Sequence, residues 1–346
     1  LPDGSFWEMS PSYHLVTLTY LHHIAEAFLR AGDDFYHKDT NGRRLANMTD
    51  FFKAVAAPPG MVPAFDDGGR SVSGGLLLSL ARRLHDGELA FHASKAFERA
   101  HSAAGAWELF VPVYTPHEVE PRRGSEVLVP SGKLVLRSSC RNLTFIFDFG
   151  PHGGWHGHSD KLSFEAFWRD DCIIPDAGCY KYEEALHWEW FKTSCAHNTV
   201  TLGDNDRVEA SGRLVFFEDG PGFTTAAMTA PVSASTTHRR ELTLSGRTLL
   251  VDDFLENAPV GETVVWRLNS FSPIVVHADH ALFEFAGLEV RITPVSEGVE
   301  MEVEEVPIVQ DKSGDAFNCV TGSQLRISKT AGGESVRMLV RIDFTW

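Results

Sequence analysis

The sequence predicts an α+β, multidomain chain: a helical first third, residues 1–108, followed by a large antiparallel β region, residues 109–346. Three observations carry this. Up to about residue 104, apolar residues recur at three- and four-residue spacing, the period of an amphipathic helix. Beyond Pro112 the texture changes to alternating, β-branched and aromatic runs divided by turn residues at short intervals, as in a sandwich or barrel. Between the two textures Pro112, Pro116, Pro121 and Gly124 cluster, which suits a boundary.

The first helix is read over Tyr13 to Leu29 from Leu15, Leu18, Leu21, Ala25, Phe28 and Leu29, with Gly32 as its stop. A second runs through Leu45, Met48, Phe52 and Val55 to the Pro58-Pro59-Gly60 breaker. A third spans Leu76 to Leu84, and a fourth runs from Glu88 to about Ala104. Four helices are too few for a stable layer of their own, so they must pack on the sheet or on helices outside this stretch. Strands are predicted at KLVLRS, LTFIFDF, KLSFEAFW, NTVTL, RLVFFE, RTLLVDDFL, ETVVWRL, PIVVHA, EVRITPV and SVRMLVRIDF.

Composition narrows the function. The chain has 346 residues, 43% hydrophobic and 23% charged, and no apolar run near the ~20 residues that span a bilayer. A formal charge of -16 argues against nucleic acid or an anionic membrane surface as partner, since both are held by broad positive fields. A polyanionic ligand would need a local basic groove. Arg82, Arg83, Arg122, Arg123, Arg239 and Arg240 could supply one or could form solvated faces. The five cysteines are odd in number and form no CxxC pair, which predicts buried free thiols. Two sequons, at Asn47 and Asn142, are of a kind common by chance. The opening LPDGSFWEMS has no initiator methionine, basic segment or apolar segment, so the chain is expected to begin inside a larger protein.

The densest chemistry lies in HGGWHGHSDKLSF, residues 152–164. Read as a strand, it would project His156, His158 and Asp160 to one side, with Gly157 leaving room for a close approach. Asp176 ends the run CIIPD, and His197 opens NTVTL. His158, Asp176 and His197, from three strand ends, carry the nitrogen and carboxylate ligands that zinc takes in tetrahedral sites. The same side chains could instead satisfy local backbone groups.

GWHGHSDKLSFEAFWRDDCIIPDAGCY, followed by AHNTVTLG, resembles the signature of the heparinase II/III-like polysaccharide lyases, which include heparinases and oligoalginate lyases. WEMSPSYH resembles that family's tyrosine segment, and HRRELTLSGRTLLVDDFL fits its sandwich. The resemblance runs from Trp7 to about Trp266. It implies the C-terminal helices of an α/α toroid followed by a large antiparallel β-sandwich, with the N-terminal part of the toroid upstream of Leu1. It implies a mainly structural zinc on His158, Asp176 and His197, with His156 beside the cleavage site and Tyr13 as acid, base or both. The implied partner is an anionic uronate polysaccharide or oligosaccharide, glycosaminoglycan or alginate, cleaved by β-elimination. The implied setting is secreted or periplasmic, with the cytoplasm open to an oligosaccharide-processing enzyme. The family's carboxylate-neutralising asparagine and histidine lie on helices upstream of Leu1, and Lys192 at most represents the arginine found before AHNT. Two other readings compete: a non-catalytic, zinc-stabilised carbohydrate-binding sandwich, and a hydrolase using zinc-bound water.

Overall fold

The computed structural model describes all residues except 40–43, 101–114, 122, 141, 314–315 and 334. The predicted boundary at residues 108 and 109 lies outside the described residues, as does Arg122. The helices are α1 (Pro11–Arg30), α2 (Leu45–Val55), α3 (Gly74–Leu84) and α4 (Gly87–Ala100). Ser10 caps α1 by accepting a hydrogen bond from the Tyr13 backbone, and Pro11, which has no amide hydrogen to leave unpaired, takes the first turn. Leu18, Phe51, Phe52, Leu77, Leu80 and Leu89 form the helical core. The predicted core residue Phe28 is exposed. It continues a stripe with Val16, Tyr20 and Ile24, four residues apart, on the side of α1 that these helices leave uncovered.

The first sheet is a meander of β1 (Glu126–Leu128), β2 (Lys133–Arg137), β3 (Leu143–Asp148), β4 (Phe164–Trp168) and β5 (Asp171–Ile174). It is buried on both faces. Leu134, Leu136, Phe145, Phe147 and Phe164 enter the main sandwich core, while Val135, Ile146 and Phe167 pack with Phe65 on the other side, as strand alternation requires. Glu165, on that second face, meets Arg70 from the loop after α2 in a buried ion pair.

The remaining strands are β6 (Val200–Leu202), β7 (Arg213–Gly220), β8 (Phe223–Pro231), β9 (Thr237–Ser245), β10 (Thr248–Glu256), β11 (Thr263–Ser270), β12 (Val275–Val276), β13 (Ala281–Phe285), β14 (Leu288–Pro294), β15 (Glu300–Ser313), β16 (Ala316–Thr330) and β17 (Ser335–Thr345). An eight-stranded antiparallel sheet has the order β12-β13-β14-β17-β10-β9-β8-β7, and a four-stranded one the order β15-β16-β11-β6. In β9 and β10 alternate residues are buried, the mark of a sheet with one covered face. Leu242, Val251, Val290, Ile342 and Phe344 meet the first sheet there, with the rings of Phe145 and Phe344 5.5 Å apart. The antiparallel layers match the predicted sandwich.

Three expectations need correction. The HGH segment is not a strand: residues 154–156 form a single 3-10 turn and 157–163 a loop. Gly153 and Gly154 have φ of 81° and 76°, outside the strand region, so alternation places nothing here. His197 likewise lies before β6 rather than in it. All five cysteines are free thiols, but only Cys172 and Cys179 are buried. No helix among the described residues is long and apolar enough to cross a membrane.

Candidate active site

Tyr13 sits in the first turn of α1, where two contacts fix it. The Ser10 cap sets the direction of the helix, and the Ser12 hydroxyl exchanges hydrogen bonds with the backbone of Gly69, at 2.9 and 2.8 Å. The loop containing Gly69 also docks the HGH turn. The Asp67 amide donates to the His156 carbonyl at 3.0 Å, and the His158 amide donates to Asp66 Oδ1 at 3.2 Å. Gly153 must be a glycine, since a Cβ there would lie 2.4 Å from the Glu8 carbonyl. One on Gly157 would lie 1.7 Å from that of His152, which gives the predicted close approach its cause.

These anchors bring Tyr13 against His156. Their rings stack with centroids 3.7 Å apart and planes 18° from parallel. The Tyr13 and Tyr182 hydroxyls are 2.8 Å apart. Burial, and then this hydrogen bond, push the Tyr182 pKa upward, so Tyr182 keeps its proton and can donate it towards Tyr13. Glu8 Oε1 lies 3.1 Å from His156 Nδ1, without the alignment of a hydrogen bond.

Beneath this pair lies a buried floor. The His158 Nε2 hydrogen bonds to Asp67 Oδ1 at 2.8 Å, leaving its Nδ1 buried with no hydrogen-bond partner. His197 Nε2 donates to the Phe191 carbonyl at 3.1 Å, and its Nδ1 bonds Asp176 Oδ2 at 2.8 Å. The two imidazoles are 5.3 Å apart. Burial disfavours charge on His197, but neighbouring Asp176 outweighs it and raises the His197 pKa to about 9. The donor set fits zinc in kind: a carboxylate and two histidines whose Nε2 atoms are engaged, with the His158 Nδ1 free of hydrogen bonds and the His197 Nδ1 turned to Asp176, itself one of the three. The spacing is wider than a closed site.

Among the described residues, the group of three whose ligand atoms all lie within 4.8 Å of one another is instead Asp66, Asp148 and Asp160. Lysines neutralise it. Lys133 bonds Asp148 at 2.8 Å, and Lys161 bonds Asp148 and, at 3.0 Å, Asp160. Burial, the largest influence, carries the Asp66 pKa to about 8, so two lysines face two carboxylates and one neutral acid. This is a charge-balanced strut under the HGH loop.

A second buried network lies deeper. Asp253 accepts from His238 at 2.6 Å and from Arg240 at 2.7 and 2.9 Å. Arg240 also donates to the carbonyls of Leu162 and Asn198, at 2.5 and 3.0 Å, tying the segments that follow His158 and His197 to the eight-stranded sheet.

The comparisons with known proteins point one way. Residues 120–331 match the family described as heparinase II/III-like, C-terminal, over more than half of the chain. The chain belongs to this family. A heparin-sulfate lyase of Bacteroides stercoris is 30% identical over 102 residues, 27% of this chain and 15% of the relative. A heparin-sulfate lyase of Pedobacter heparinus is 26% identical over 156 residues, 43% of this chain and 24% of the relative. The fold is similar to the crystal structure of a heparan sulfate lyase from Pedobacter heparinus, with a TM-score of 0.82 at 17% identity, covering 99% of this chain and 53% of that one. The chain thus spans about half the length of that lyase.

Sequence reasoning missed two residues of this site, Asp67 and Tyr182. No spacing signal marks a residue that reaches the site from another loop. Of the paired arginines among the described residues, four are held by carboxylates: Arg83 binds Glu26, Arg123 binds Glu88, Arg239 pairs with Glu241, and Arg240 is buried on Asp253. A cavity of about 680 Å³ lined by Lys53, Arg123, Arg137 and Arg169 shares no residue with the Tyr13 and His156 cleft.

Proposed function

We propose that this chain is the C-terminal part of a lyase that cleaves a uronate-containing glycosaminoglycan, heparan sulfate foremost, by β-elimination, and that α1 to α4 close an α/α toroid at residues 1–108 ahead of the sandwich at 109–346. The observation that carries the reading is Tyr13 stacked on His156 in a half-exposed cleft. The relatives' names favour glycosaminoglycan over alginate. The uncovered Val16, Tyr20, Ile24 and Phe28 stripe supports further helices against α1.

The reaction removes the proton on the carbon beside the sugar carboxylate, breaks the bond from the adjacent carbon to the glycosidic oxygen, and leaves a carbon–carbon double bond. The proton released on one side is matched by one delivered to the leaving oxygen, and no water is consumed. Tyr13 and His156 share these base and acid roles from one side of the sugar, each a positioned proton carrier. Tyr182 holds the Tyr13 oxygen in place and offers it a proton as charge builds there.

His158, Asp176 and His197 would hold zinc. Zinc there supplies a structural tie between the HGH and AHNT segments rather than Lewis acidity. Asp67 fixes the His158 ring, and Phe191 the His197 ring.

The test is heparan sulfate incubated with the full-length protein. Rising ultraviolet absorbance from unsaturated ends is expected; reducing ends formed without it would replace elimination with hydrolysis. Elemental analysis of protein purified without chelator is expected to find one zinc per chain, and finding none would remove the metal.

A further inference from the structure

Among the described residues, three tryptophans are strongly exposed: Trp7 at 57%, Trp155 at 61% and Trp188 at 44%. All three border the Tyr13 and His156 cleft. Trp155 follows Gly154 in the 3-10 turn and precedes His156, with its ring centroid 5.2 Å from His156 and 5.1 Å from Tyr182. Trp188 lies 5.9 Å from Trp155. Trp7 abuts the Gly154 backbone, its ring edge 3.4 Å from where a Cβ would stand.

Trp155 and Trp188 are held. Trp188 Nε1 donates to the Tyr182 carbonyl at 2.9 Å, and Lys192 Nζ donates to the Trp155 and Gly157 carbonyls, both at 2.7 Å. The same ammonium lies 5.8 Å from the Trp188 ring. Leaving indoles in water forgoes the gain of burying them, so a cluster exposed yet anchored at a cleft marks a surface that meets a ligand.

We propose that Trp155 and Trp188 form a stacking platform for the sugar ring next to the one that meets Tyr13 and His156, with Trp7 extending it. The ligand chemistry follows from the surface. A pyranose presents a face of C–H bonds that packs flat on an indole, while its hydroxyls and anionic groups remain at the edge. The Lys192 ammonium, 3.9 Å from the Asp67 carboxylate beneath it and 5.8 Å from the Trp188 ring, places a cation at the edge of the platform, which suits an acidic sugar over a neutral one. Trp188 and Lys192 are only four residues apart, so one short segment presents both the apolar face and the cation.

This proposal rests on the polysaccharide reading but not on turnover, and its test keeps the two apart. Trp155→Ala, Trp188→Ala and the double variant are made in the full-length protein, alone and with Tyr13→Phe. The probe is a heparan sulfate hexasaccharide, with binding followed by calorimetry in the Tyr13→Phe background. The dissociation constant is expected to rise roughly tenfold for each single variant, on the scale of one aromatic stacking contact. With Tyr13 intact, KM is expected to rise while kcat holds, because a platform binds the ground and transition states alike. Trp155→Phe is expected to recover most of the affinity. Unchanged affinity in the double variant would overturn the platform, whether or not unsaturated product forms. A lower melting temperature in these variants, together with Tyr13→Phe protein whose intact tryptophans the hexasaccharide does not quench, would also overturn it, by showing that they pack against protein. Tryptophan-dependent binding without any unsaturated product would leave the platform standing and remove the lyase.

Discussion

The rim and the floor of the candidate site are built on opposite terms. On the rim, His156 is half-buried and stacks on a Tyr13 whose hydroxyl has Tyr182 as its partner. On the floor, His158, Asp160, Asp176 and His197 are buried within networks that reach Asp67, Lys161 and Phe191. His156 and His158 are two residues apart and belong to different regions, because the 3-10 turn at Gly154 sends one ring to the cleft and the other inward. A group that must exchange protons with substrate cannot have its valences filled by protein, whereas a buried ionisable group needs partners, which the floor supplies to each of these side chains while leaving His158 Nδ1 and one Asp160 oxygen open. The rim should therefore lose activity without stability when altered, and the floor the reverse.

The largest effect is expected on the rim. Tyr13→Phe removes one hydroxyl and keeps the ring against His156, so unsaturated product should form roughly 10²–10⁴-fold more slowly. The melting temperature should hardly move, and a large drop would return Tyr13 to the structural class.

Asp253→Asn strikes beneath the floor and should cost about 3–5 kcal/mol at neutral pH, since it leaves Arg240 buried beside a neutral partner. Burial would raise the Asp253 pKa, but Arg240 and His238 prevail and hold it at about 2. A carboxylate depressed below its unfolded value contributes stability above about pH 4 and loses it as pH falls through about 2. Denaturant melts from pH 7 downward should show the wild-type advantage shrinking in that window; a constant gap would mean that the pair is not what stabilises the fold.

A paired experiment sharpens the boundary between the two regions. His156→Ala should slow product formation by about 10²-fold and leave metal content near that of the wild type. Asp176→Ala should lose the metal and lower the melting temperature, because metal binding is coupled to folding. Zinc lost from His156→Ala but kept in Asp176→Ala would exchange the roles of rim and floor.

Tyr182→Phe should have the smallest effect. It deletes a single hydrogen bond to Tyr13, worth roughly 1 kcal/mol, and turnover should fall about fivefold or less. A fall as large as that of Tyr13→Phe would place Tyr182 among the proton carriers.

The sequence by itself determined what local physics controls. The helices were legible from periodicity and stops: α1 to α3 lie within two residues of their expected bounds, because amphipathic spacing and Gly or Pro punctuation act over a few residues. The strands β2, β3, β10 and β17 were legible as apolar or alternating runs. The hairpin of β15 and β16 was not, since β15 is written EMEVEEVPIVQDKS, with Glu302 and Glu304 turned outward to Arg326 and a proline within it. Tertiary pairing overrides so acidic a run. Tyr13, His156, His158, Asp176 and His197 were offered by the sequence as candidates, the last three from residue type and all five from resemblance, while their geometry was not legible. That His156 would stack on Tyr13, that Asp67 would hold His158, and that Tyr182 and three tryptophans would border the cleft were decided by the tertiary fold. The physical reason is that the contacts of Asp67 with His158 and of Tyr13 with His156 and Tyr182 join segments 91 to 169 residues apart, through side chains and glycine turns whose partners leave no periodic trace in the chain.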